Sequence, residues 1–143
     1  MRHSWQIIAA VSLVMGCSQS PTGEIEPTVP VAGIVTYQGR PLEDYHVTFF
    51  PEKGRPAAGR TDATGQFRLG TNQPGDGAVV GKHIATFVYV GPPSTETPGK
   101  EEFKPPPPPK VVIPPKYGDP KTSGVIQEVP DGGNTSLLIE LSP

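Results

Sequence analysis

An imidazole can bind a metal or move a proton near neutral pH, and two of the three in this 143-residue chain, His46 and His83, fall in runs of alternating apolar and polar residues. With Arg60, whose guanidinium can hold an anion, they could make a small hydrolytic or metal-binding centre. Neither has a carboxylate at ligand spacing, so both read as partly exposed strand residues. Three loops carry acids beside glycine: Asp62 with Gly65, Asp76 with Gly77, and Asp131 with Gly132 and Gly133. Calcium needs about six to eight oxygens, which none of these loops supplies, whereas Asp and Gly at such spacings form turns. No Gly-x-x-x-x-Gly-Lys, paired cysteine or Gly-x-Ser-x-Gly occurs. The residues therefore name no catalytic group, cofactor or metal, and the chain reads as non-enzymatic.

Cys17, the single cysteine, offers a different chemistry. Arg2 precedes Ile7 to Met15, an apolar run broken only by Ser12. A helix needs about 20 apolar residues to cross a bilayer, so this run has the length of an export signal. The order Leu13-Val14-Met15-Gly16-Cys17 resembles bacterial lipoprotein signal peptides, although Val14 stands where Leu is usual and Met15 where a smaller residue is. The resemblance implies cleavage before Cys17 and acylation of its sulfur. A lone exported thiol has no disulfide partner, and several acyl chains hold a protein stably on a membrane surface. Ser18 stands where Asp would retain such a lipoprotein at the inner membrane, which points to an outer-membrane address.

Behind these residues the composition dictates strands. Twenty prolines and 17 glycines make helix interiors costly, and no apolar stripe at helical spacing follows residue 30. Removing residues 1–16 also removes Arg2, so the net charge moves from −2 to about −3. No basic field is present to attract nucleic acid. Residues 17–29 read as the lipidated cysteine and a flexible tether, and residues 30–143 as one domain.

Period-two alternation marks the strands of that domain. Val31 to Tyr37 is the first, turning at Gln38-Gly39-Arg40-Pro41 and expected to pair with a second over Tyr45 to Phe50. Ala57 to Thr61 and Gln66 to Leu69 flank the turn Asp62-Ala63-Thr64-Gly65, which predicts a tight hairpin. Lys82 to Val90 is the longest, with Ala85, Phe87 and Tyr89 opposite Ile84, Thr86, Val88 and Val90. Val125 to Val129 and Leu137 to Leu141 complete seven short strands, the pattern of a β-sandwich. Phe49, Phe67 and Phe87 belong to its core, while the alternation does not assign Tyr45, Tyr89, Tyr117 or Phe103.

Residues 91–110 differ in kind and predict an exposed insertion. They end in five prolines, Pro105, Pro106, Pro107, Pro108 and Pro109, between Lys104 and Lys110. Such a run favours a stiff polyproline II segment. It suits a rigid surface spacer, and it is also the chain's candidate contact for a partner with an aromatic groove.

Three stretches together carry a family resemblance: Val31-Ala32-Gly33-Ile34-Val35-Thr36-Tyr37-Gln38-Gly39-Arg40-Pro41-Leu42, Val47-Thr48-Phe49-Phe50-Pro51, and Gly59-Arg60-Thr61-Asp62-Ala63-Thr64-Gly65-Gln66-Phe67. With Pro74 to His83, Ile113 to Gly124 and Leu137 to Leu141, they resemble the transthyretin-like, carboxypeptidase-regulatory-like modules, especially planctomycete-type lipoproteins. The resemblance spans about residues 30–142 and implies a seven-stranded prealbumin-like (Ig-like) β-sandwich of non-catalytic character. It does not extend to the proline-rich insertion. The implied protein is a membrane-anchored binding or scaffold module of the cell envelope, with an envelope protein or polysaccharide as partner. Two other classes stay open: a hydroxyisourate-type hydrolase using His46, His83 and Arg60, although the Tyr-Arg-Gly-Ser ending of that group is missing, and a carbohydrate-binding module.

Overall fold

The computed structural model describes residues 25–93 and 104–143. They form eight strands: β1 (Val31–Tyr37), β2 (Arg40–Pro41), β3 (Tyr45–Pro51), β4 (Ala57–Arg60), β5 (Gln66–Arg68), β6 (Gly81–Tyr89), β7 (Val125–Val129) and β8 (Asn134–Leu141). A single 3-10 turn, Pro115–Gly118, is the only helical piece among the described residues. The protein is all-β, with its strands in two open sheets.

In the first sheet, β1 pairs in parallel with β8 along its whole length, Val31 opposite Asn134 through Tyr37 opposite Leu141. Its other edge is shared by β5, opposite Ala32 to Ile34, and β2, opposite Thr36 and Tyr37. The second sheet is antiparallel in the order β4-β3-β6-β7. The four long strands β1, β3, β6 and β8 present alternate residues to the space between the sheets: Val31 and Val35, Tyr45, Val47 and Phe49, Ala85 and Phe87, and Leu137, Ile139 and Leu141 are all buried. Phe49, Phe67 and Phe87 lie in this core as the alternation requires, and each contributes roughly 1.5–3 kcal/mol by burial.

Two expected pairings do not form. β1 and β3 are not a hairpin: Gln38 and Gly39, at φ 50° and 75°, make a two-residue turn that sends the chain back only as far as Arg40 and Pro41. Leu42 and Asp44 then carry it over to the other sheet, with Asp44 at φ 63°, a conformation that Asp tolerates. This adds a short strand to the seven expected. The turn at Asp62 to Gly65 does form, closed by Gly65 N–H donating to the Asp62 carbonyl at 3.0 Å. Its flanking strands nonetheless enter different sheets, β4 pairing with β3 and β5 with β1. A single bridge, Ala58 with Gly70, links the two sides.

The folded unit also begins before residue 30. Val29 bridges Ala78, the Thr28 hydroxyl donates to the Asp76 carbonyl at 2.9 Å, and the Asn72 side chain donates to the Glu26 carbonyl at 2.9 Å. Residues 26–29 are therefore held on the domain, where the sequence suggested tether. Cys17 and Phe103 lie outside the described residues.

Candidate functional site

β1 starts near Glu26 to Pro30 and ends at the Gln38-Gly39 turn, so the sandwich has an amino-terminal pole and an opposite one. Tyr45, Tyr89, Arg60 and Asp44 gather at the opposite pole, whereas Asp76 and His83 do not. Here Tyr45 opens β3 and Tyr89 closes β6, in register, with their rings edge to face and centroids 5.5 Å apart. Thr61, buried beside them, accepts the Tyr45 N–H on its hydroxyl at 2.9 Å. Asp44 accepts Val90 N–H on its carbonyl at 3.0 Å and the Arg60 guanidinium on its carboxylate at 2.8 Å. Arg60 also donates to the Gly91 carbonyl.

Across this pole runs the proline-rich segment. The Tyr89 hydroxyl donates to the Pro107 carbonyl at 2.6 Å, and the Tyr45 hydroxyl to the Val111 carbonyl at 2.6 Å. Arg40 donates to the Lys110 carbonyl at 3.2 Å, and the Lys110 ammonium meets the Glu43 carboxylate at 2.5 Å. Burial pushes the Tyr45 hydroxyl above the usual tyrosine range; the Ile113 backbone opposes that and the neighbouring Tyr89 adds to it. The Glu43 carboxylate raises the affinity of Lys110 for its proton. Below the strap lies a shallow groove of about 260 Å³ lined by Tyr45, Phe87, Tyr89, Pro109, Ile113 and Pro115.

Pro105 to Pro108 are exposed and Pro109 is half-buried, so the tract is at the surface as expected. It is also tied to the sandwich, at Pro107 and at the two residues that follow the tract, Lys110 and Val111, which the sequence did not suggest. Its ties come from Arg40, Glu43, Tyr45 and Tyr89, residues 18 to 70 positions away. No local motif marks such pairs; the visible signal was only that Tyr45 and Tyr89 stand at the ends of alternating runs.

The histidines do not come together. His46 is exposed on the outer face of β3, beside Arg60 on β4 and Val88 on β6. His83 is 1% exposed and faces the core with Ala85 and Phe87, correcting the expectation of a partly exposed residue. Five register positions separate it from Val88, or about 17 Å along the strand. One ring nitrogen, Nε2, lies 2.8 Å from the Val79 carbonyl, and Nδ1 has no hydrogen-bond partner. His46 and Arg60 are thus neighbours, with His83 on the other face of the sheet. Tyr117, buried, donates to the Ser142 carbonyl at 2.7 Å and packs edge-on against Phe87.

Two of the three loop acids, Asp62 and Asp76, are occupied by their own backbone. Asp62 Oδ1 accepts Thr64 N–H, Thr64 Oγ1–H and Gln66 N–H at 2.7–3.0 Å. Asp76 accepts Thr71, Asn72 and Gln73 N–H at 2.6–3.1 Å. The Thr64 hydroxyl, against some opposing burial, and then the Thr64 and Gln66 amides hold the Asp62 carboxyl below the usual range. For Asp76, burial pushes upward, but the three amides and the Asn72 side chain outweigh it and the net shift is downward. Among the described residues, no three His, Cys, Asp or Glu side chains cluster as metal ligands would. Nor is any helix among them long and apolar enough to cross a membrane.

No model of a known protein family matches the chain, and no curated protein or solved structure does. The arrangement at the two poles therefore carries the functional reading.

Proposed function

We propose that the protein is a membrane-anchored, non-enzymatic lipoprotein: Cys17 carries the lipid, and a prealbumin-like sandwich of the carboxypeptidase-regulatory-like kind serves as a binding or scaffold module at the cell envelope. The observation that supports it most is the separation of the two poles. The chain joins the sandwich at Glu26 to Val29, and the proline-rich strap crosses the other end, beside Tyr89 and Gly91. The seven residues of β1 span roughly 23 Å between them. A lipid on Cys17 would sit on the amino-terminal side and leave the strap facing away from the membrane. Of the side chains at that far pole, Tyr45, Tyr89, Arg40 and Arg60 hold the strap or its supporting loop, an arrangement suited to display.

Intact mass and detergent partitioning of the protein from its native membrane test the anchor. The expected mass is that of residues 17–143 plus acyl chains, with both the acyl mass and the membrane retention lost in Cys17→Ser. An unacylated, water-soluble wild-type chain would overturn the reading.

A further inference from the structure

Every residue from Lys104 to Pro108 precedes a proline. The pyrrolidine ring fixes φ near −65° in each proline, and a following proline pushes the preceding residue to extended ψ. The tract is therefore a left-handed polyproline II helix with three residues per turn, and residues three apart share an edge. Pro106 and Pro109 form one such edge, and it faces the sandwich. Pro106 lies directly on Gly91, where an added Cβ would come within 2.5 Å of the Pro106 Cβ, and Pro109 lines the groove beneath the strap. Pro105 and Pro108 form the next edge. Both are exposed, as are Pro106 and Pro107, but the Gly91 contact and the Tyr89 hydrogen bond fall on the other two edges and leave this one outward. Lys104 and Pro107 form the third, where Tyr89 holds the Pro107 carbonyl and Lys104 is exposed.

We propose that the Pro105/Pro108 edge is a docking ligand for a protein whose groove is lined by aromatic side chains and rimmed by carboxylates. Proline rings offer apolar faces that stack on aromatics, and a tract without N–H groups presents only carbonyl acceptors, which tyrosine and tryptophan donors satisfy. The carboxylate rim follows from Lys104 and from Lys110, whose side chain is 75% exposed although paired with Glu43. The strap is already ordered by Tyr89, Arg40 and the Gly91 contact, so a partner gains the contact without first paying to straighten a loose chain. This proposal rests on the display role above, yet its test needs no membrane.

The test uses the full chain carrying Cys17→Ser, so that acylation plays no part, and an isolated SH3 domain with an acidic specificity pocket as the probe, followed by NMR. Saturable shifts confined to the aromatic groove are expected, with Kd tighter than about 1 mM. Pro105→Ser with Pro108→Ser should weaken binding at least tenfold while leaving the melting temperature unchanged. Tyr89→Phe, which loosens the strap but keeps both prolines, should weaken it about threefold to tenfold, and Lys104→Glu should weaken it more at low salt than at high. No groove shifts from the parent chain, or equal binding by the double serine variant, would overturn the proposal. Failure there with an acylated Cys17 would remove the docking surface and leave the anchor standing.

Discussion

The two poles of the sandwich share side chains that donate to backbone carbonyls, as from Thr28 and Asn72 at one and Tyr89 at the other. They differ in the Asp76 and Glu26 carboxylates, which gather backbone amides at the first. At the amino-terminal pole, backbone N–H groups donate to side-chain carboxylates: Thr71, Asn72 and Gln73 to Asp76, and Arg55 to Glu26 at 2.7 Å. At the strap pole, side chains donate to backbone carbonyls, from Tyr45, Tyr89, Arg40 and Arg60. The cause is composition. A proline-rich segment has no N–H to offer a ladder, so whatever holds it must bring its own donors, and hydroxyls and guanidiniums are the long donors available. The loop around Asp76 has amides in excess, and a short carboxylate gathers them.

The largest effect should come from breaking the amino-terminal pole at its backbone. Gly77 sits at φ 101°, and a Cβ there would lie 1.8 Å from the Val29 carbonyl oxygen. Gly77→Ala should therefore cost about 3 kcal/mol through strain and loss of the Val29–Ala78 bridge. A drop in melting temperature on the order of 10 °C would show it, and an unchanged melt would mean that this pole is not held as described.

Removing a buried donor from the strap pole should cost less. Tyr45→Phe keeps the ring and leaves the Val111 carbonyl without its partner, for a loss of about 1–2 kcal/mol read by denaturant unfolding.

Acid should act on the carboxylate loops ahead of the strap. The folded carboxyls of Asp62 and Asp76 lie below their ordinary value, so their stabilisation is present above about pH 4 and is lost as pH falls through the folded values. In Asp76→Asn, unfolding stability should decline less steeply below about pH 4 than in the parent. A parallel pair of pH profiles would remove Asp76 from the comparison.

The smallest effect on stability is expected from Tyr89→Phe, whose hydroxyl is at the surface. Its consequence should be local: faster tryptic cleavage at the Lys110–Val111 bond, about threefold to tenfold, with little change in melting.

Much of this fold was legible because alternation reports which face a residue takes. Val31 with Val35, Val47 with Phe49, and Leu137 with Ile139 and Leu141 all point inward as their spacing requires. The same parity that buries Ala85 and Phe87 also buries His83, and following it one step back along β6 would have placed that imidazole in the core. Partners were not legible, because period two says nothing about which edge a strand meets. The crossing of β3 into the second sheet depends on Asp44 at positive φ and on the length of the Leu42 to Asp44 link, and neither has a pattern of its own. The strap's ties were hidden for a related reason: Tyr89 and Pro107 are brought together by the whole sandwich.

The parallel pairing of β1 with β8 sets the order in which this chain can fold. Val35 meets Ile139, 104 positions later, so β1 gains that neighbour only after almost the entire domain has been made. Closing so long a loop is entropically unfavourable, and contacts this distant in sequence slow folding. During synthesis, therefore, the first strand stays without this neighbour until the last one has been made.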